Sequence, residues 1–144
     1  MDFHHQINNE KFLFLTKIFE PEENTLRLEL AIGETDSYKK HEVSGIKFAA
    51  SRIFHHQKSR KFNIDFLSYI AYSVIDESYD NLQGTDFTGN RLRTYQTSNF
   101  LDYIKKDTIA SSDYPGAFQH YAFLFEDHVV NVISTLEPRI SILK

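Results

Sequence analysis

The chain has 144 residues and a mass of 16.9 kDa, with 16 Lys and Arg against 20 Asp and Glu, a net charge of −4 and a pI near 5.9. It contains no Cys, which excludes a disulfide scaffold, a zinc ribbon, a thiol enzyme and an iron–sulfur protein. Aromatic residues reach 15%, from 13 Phe and 8 Tyr, a density that opposes disorder and supplies a core.

A chain of this length is expected to form one domain over 1–144, burying roughly 68–70% of the surface exposed when unfolded. Its start, Met1-Asp2-Phe3-His4-His5-Gln6, has no basic segment followed by an apolar one, so no secretory leader is expected. No apolar run approaches the roughly 20 residues needed to span a bilayer. The longest candidate, Phe66 to Ile75, is interrupted by Ser68 and Ser73. The expectation is a soluble cytoplasmic protein with no membrane contact.

In chain order, residues 1–9 read as loosely tied. Phe12 to Phe19 is a dense apolar and aromatic run. Pro21-Glu22-Glu23-Asn24 is turn chemistry, since Pro presets its φ and Asn tolerates the left-handed region. Leu26, Leu28, Leu30 and Ile32 then alternate with Thr25, Arg27, Glu29 and Ala31, the period of a half-buried strand. Together these predict an antiparallel hairpin. Glu34 to Glu42 reads as a loop. Ile46, Phe48 and Ala50 alternate with Lys47, Ala49 and Ser51, predicting a third strand running to Phe54. Phe62, Ile64, Phe66, Ile70, Tyr72 and Val74 keep one parity and predict a long strand. Strands usually run 3–10 residues, so a bend or bulge is expected near Leu67-Ser68.

Asp76 to Asn90 reads as a second loop, and Arg91 to Tyr95 as a short strand. Ser98 to Lys106 is the one convincing helix. Thr97, Ser98 or Asn99 can cap it, and Phe100, Leu101 and Ile104 form its apolar stripe. Asp102 falls in the first turn and Lys105-Lys106 in the last, matching the helix dipole. Asp107 to Gly116 reads as a loop. Phe118 to Phe125 and Val129 to Ser134 form a second hairpin, and Pro138 makes Arg139 to Leu143 an edge strand. Runs of strands without alternating helices predict an α+β fold. The sheet is expected to be curled and mainly antiparallel, with about six to seven strands and the helix near 98–106 on one face. Phe12 to Leu15 and Phe123 to Phe125 are apolar on both parities. Either helix and loops cover both faces, or one face serves a partner, including a second copy.

Seven His residues (4, 5, 41, 55, 56, 120 and 128) show no HxH or HExxH spacing, so no metal or other cofactor is expected. His55 and His56 are neighbours in an extended segment and point to opposite faces. Gly84 to Arg91 has the length of a phosphate loop but not its Lys-Ser/Thr ending. Lys58-Ser59-Arg60-Lys61 is basic, yet the chain as a whole is acidic, which argues against nucleic acid. Arg91, Arg93, Tyr95, His120 and Tyr121 form a possible ligand or hydrolytic set in a cup of the sheet.

The segment Asp76-Glu77-Ser78-Tyr79-Asp80, with Asp86 beyond it, places a Tyr among carboxylates. Tyr is a common interface anchor, and acidic surface speeds association with a basic partner. Four segments, Tyr69 to Tyr79, Arg91 to Ile104, His120-Tyr121 and Val129 to Ile133, resemble small bacterial proteins encoded beside polymorphic or contact-dependent toxins and suspected to be their immunity proteins. The resemblance spans about Phe62 to Ile140 and carries no functional residues with it. It implies a non-catalytic cytoplasmic binding protein that neutralises a basic toxin domain. The contacts expected from the residues themselves are Asp76, Glu77, Tyr79, Asp80 and Asp86.

Overall fold

A computed structural model describes residues 2–36, 39–43, 46–50, 52–81 and 86–143, with 39–43 and 46–50 described by backbone alone. His41, the Ile46/Phe48/Ala50 alternation, Gly84 and Thr85 lie outside that description. The elements in order are α1 (Phe3–Asn8), β1 (Leu13–Phe19), β2 (Leu26–Ile32), β3 (Glu34–Thr35), β4 (Lys39–Val43), β5 (Ile46–Ala50), β6 (Ile53–Phe54) and β7 (Lys61–Phe66). They continue with β8 (Ala71–Asp76), a 3₁₀ turn (Glu77–Tyr79), β9 (Phe87–Gly89), β10 (Leu92–Tyr95), α2 (Asn99–Asp107), β11 (Gln119–Leu124), β12 (His128–Ser134) and β13 (Arg139–Ile142).

The coarse α+β, antiparallel reading holds, but the strands do not join into a single curled sheet. One sheet has four strands in the order β1-β2-β7-β13, and another has five in the order β8-β12-β11-β10-β9. The small pairs β3-β6 and β4-β5 stand apart from both. The expected loop from Glu34 to Glu42 therefore contains strand structure.

The first hairpin forms as its alternation predicts, with Leu13 opposite Ile32 and Phe19 opposite Arg27. Asn24 takes the left-handed φ of 63° that its turn requires. The Glu20 carboxylate accepts the Asn24 N–H at 3.0 Å. The long strand predicted from Phe62 to Val74 is instead two strands in different sheets. Its expected bend at Leu67-Ser68 is the point where the chain crosses from one sheet to the other. Phe62, Ile64 and Phe66 face the core from one side, and Tyr72 packs on it from the other. Ile70 breaks the predicted parity. It joins Ala71 and Ile133 against α2 instead.

The core lies between the two sheets. Leu26, Leu28, Leu30, Ile64 and Phe66 meet Tyr121, Phe123, Val130 and Val132 there. Phe66 is central, with its ring 5.7 Å from Tyr121 and 5.9 Å from Phe123. Residues 2–9, expected to be loosely tied, are held in place. Asp2 caps α1 by accepting the His5 N–H, Ile7 is 1% exposed, and Phe3 meets Phe62 edge-on.

Helix α2 packs on the outer face of the five-stranded sheet through Leu101 and Ile104 against Ile133. That placement accounts for the two-sided apolar character of β11. Tyr121 and Phe123 face the core, and the opposite parity faces α2 and the space beside it. On β1, the outward Phe14 meets His55 at 4.8 Å between rings and fills the space above Gly33.

Candidate functional site: a cup on the five-stranded sheet

Helix α2 covers only part of the outer face of the five-stranded sheet. Beside it lies a cup of about 660 Å³, a volume ordinary for small-ligand sites. Antiparallel pairing sets its floor. His120 stands opposite Ile133 and Tyr95, while Asn131 stands opposite Ala122 and Ser73. Ile75, Leu124 and Val129 add an apolar wall, and Asp80, Asp86 and Asp102 stand at the edge with Arg93.

His120 organises the floor. It is 4% exposed. Its Nδ1 lies 2.8 Å from Ser98 Oγ and its Nε2 lies 2.7 Å from Asn131 Oδ1. Ser98 Oγ also accepts the Leu101 N–H at 3.0 Å, as the N-cap of α2. The Ser98 proton is then available to His120 Nδ1, and the His120 Nε2–H donates to Asn131. This arrangement accommodates a neutral imidazole. Burial pushes the His120 pKa down, and the Asn131 hydrogen bond opposes that shift. Tyr95 stacks on the imidazole at 4.7 Å, and Phe100 meets it edge-on at 5.5 Å. Asn131 Nδ2 reaches Ser73 Oγ at 3.5 Å. With both ring nitrogens engaged, His120 is a fixed part of the floor rather than an open base.

Of the five residues expected in a cup, Arg93, Tyr95 and His120 line it. Arg91 does not. Its guanidinium turns back to the carbonyls of Glu10 and Lys11, tying β10 to the chain after α1. Tyr121 does not either, since it faces the core on the opposite parity from His120, and its pKa is raised by burial. Arg93 is partly committed. Its guanidinium sits 4.1 Å from the Phe87 ring centroid, and its Nε donates to the Asn90 carbonyl at 3.0 Å.

The acidic set splits between the cup and the surface beside it. Asp80 and Asp86 line the cup, and Asp86 Oδ2 accepts the Thr97 hydroxyl at 3.0 Å. Asp76 ends β8 and caps the 3₁₀ turn. Ser78 donates to it from both its hydroxyl and its backbone N–H, which holds the Asp76 carboxyl below the usual carboxylate range. Glu77 and Tyr79 project from that turn, with Tyr79 81% exposed. Asp76, Glu77, Asp80, Asp86 and Asp102 have no Lys or Arg within ion-pair distance among the described residues. The observed ion pairs, Arg27–Asp65, Arg52–Asp36, His56–Glu34 and Arg60–Glu10, lie elsewhere.

Sequence reasoning missed Ser73, Asn131 and Asp102 as lining residues. Asn131 carried a signal, as the single polar residue within Val129-Val130-Asn131-Val132-Ile133. Among the described residues, no group of three or more His, Asp or Glu is placed to hold a metal ion. No helix among them is long and apolar enough to cross a membrane. No protein-family model, curated protein or solved structure matches this chain.

Proposed function

We propose that this chain is a non-catalytic cytoplasmic binding protein that takes a basic protein domain on the acidic side of the cup, as an immunity protein takes its toxin. One observation carries the reading. The acidic loop and the cup, two separate sets in the sequence, form one continuous surface whose carboxylates lack Lys or Arg partners among the described residues. Unpaired negative charge around an exposed Tyr suits a basic partner, because charge complementarity speeds encounter and a rigid aromatic anchors the contact. The test is co-expression with the product of the adjacent gene, which this reading expects to be a toxin. The expected result is restored growth and a complex that weakens with salt. A folded protein that neither binds nor rescues rejects the reading.

A second reading has its own support. Arg93, Tyr95 and His120 converge on a cavity large enough for a small molecule. It expects small anionic or zwitterionic compounds to raise the melting temperature. That rise would vanish in an Arg93→Ala variant and survive in Tyr79→Ala. The protein-partner reading expects the reverse sensitivity for binding.

A further inference from the structure

We propose that β8 pairs edge to edge with β8 of a second copy of this chain, antiparallel, about a two-fold axis at Ser73. Among the described residues, strand β8 is an edge strand whose one neighbour is β12. The Glu77 N–H bonds to the Asp127 carbonyl, and the register runs without a shift from Asp76↔His128 to Ala71↔Ile133. Bonded pairs alternate in an antiparallel ladder, so Ile75 and Ser73 also bond to β12. The N–H and C=O groups of Tyr72 and Val74 therefore point outward, with no strand beside them among the described residues.

Exposed edges template further pairing, and proteins usually blunt them with charge, Pro, bulges or short length. The other three edges of the two sheets are blunted. Strand β1 has a register shift between Leu15 and Lys17. Strand β13 has four residues and follows Pro138. Strand β9 has three residues and ends at Gly89, whose φ is +93°. Strand β8 has no Pro and no register shift, runs for six residues, and carries its one charge at its last residue, Asp76. Ile70-Ala71-Tyr72-Ser73-Val74-Ile75 is uncharged and rich in β-forming residues.

The sequence of β8 is suited to its own copy. An axis at Ser73 pairs Tyr72 with Val74 of the second chain, reciprocally, and each pair uses the outward groups just described. It places Val74, 44% exposed, against an aromatic ring, a favourable cross-strand combination. Ala71 then faces Ile75, and Asp76 faces Ile70. The two Asp76 residues fall at opposite ends, roughly 20 Å apart at about 3.3 Å per residue, so no like charges oppose. Two five-stranded sheets become one. Because Ser73 and Ile75 line the cup, the two cups flank the axis on the same face.

The absence of Cys permits a direct test. Directly opposed residues at a non-bonded antiparallel position have Cα atoms about 4.5 Å apart, within disulfide reach. A Ser73→Cys variant is expected to oxidise rapidly to a covalent dimer at micromolar concentration. Ser141→Cys, exposed on the β13 edge, is the control and should not. Wild type should sediment as a dimer. Val74→Lys and Val74→Pro should sediment as monomers with unchanged circular dichroism, since the Val74 N–H serves no bond within the monomer. A monomeric wild type, or Ser73→Cys crosslinking no faster than Ser141→Cys, overturns the proposal. A monomer that binds the toxin through β8, and loses it in Val74→Pro, assigns the edge to a foreign strand and equally overturns self-pairing.

Discussion

Ser98 and His120 lock α2 to the five-stranded sheet through one oxygen. Ser98 Oγ accepts the Leu101 N–H at 3.0 Å while lying 2.8 Å from His120 Nδ1. Replacing Ser98 by Ala removes a helix cap, which costs about 0.5–2 kcal/mol. It also leaves a buried imidazole nitrogen unpaired, a further cost of about 1–3 kcal/mol. Ser98→Ala is therefore expected to lower the unfolding free energy by about 2–3 kcal/mol in urea titrations, and Ser98→Thr by much less. Equal stability of the two variants would mean the hydroxyl is not shared in this way.

His120 also sets a pH dependence. Its folded pKa lies below the unfolded value of 6.5 because burial disfavours the cation. Between those two values the unfolded chain binds more protons, so stability rises with pH there. Above 6.5 the penalty is absent, and as pH falls through the window it grows. Urea midpoints are expected to drop between about pH 7 and pH 5.5, and His120→Gln should flatten the drop. Asp76 acts in another window. Its lowered pKa contributes stability above 3.8 that is lost as pH falls through the folded value. A slope between pH 7 and 5.5 that persists in His120→Gln would assign the effect to another group.

Phe66 tests whether the two sheets share one core. Its side chain is fully buried, and its ring meets both Tyr121 and Phe123 across the interface. Phe66→Ala removes contacts to both sheets and is expected to cost about 3–5 kcal/mol. Ile142→Ala, at a half-exposed edge position, should stay within about 0.5 kcal/mol. Denaturation with near-ultraviolet and far-ultraviolet readouts should show one coincident, shifted transition for Phe66→Ala. Separate transitions would contradict a shared core.

Local periodicity made much of this fold legible. Alternation found β2, β7 and the β11-β12 hairpin, and the cap and charge order found α2. What it missed depends on distance along the chain or on shortness. Phe62 to Val74 looks like one strand because β7 and β8 lie in facing sheets and turn Phe62, Ile64, Phe66 and Tyr72, all of one parity, towards the core between them. Helix α1 has six residues and one buried side chain, Ile7, too few to show a helical period. Glu34 and Thr35 are exposed, so no apolar residue marks β3. In the cup, His120 and Tyr121 were grouped although adjacent strand residues face opposite sides. Asp80 and Asp86 joined Arg93 only through tertiary structure, which no spacing in the sequence records.

Tyr79 separates a binding role from a structural one. At 81% exposure its side chain holds nothing in place, so Tyr79→Ala should change stability by less than about 0.5 kcal/mol. If Tyr79 anchors the proposed basic partner, the same change should weaken that complex by about 2 kcal/mol or more, chiefly through faster dissociation. The carboxylates should behave differently. Asp80→Asn with Asp86→Asn keeps an oxygen for the Thr97 hydroxyl while removing two charges from the cup. That double variant should slow association and reduce its salt sensitivity, because exposed charge steers encounter over about 10 Å at 0.1 M salt. Surface plasmon resonance at several salt concentrations distinguishes the two effects. If Tyr79→Ala binds as tightly as wild type and the double Asn variant keeps the wild-type salt slope, the partner docks on another face.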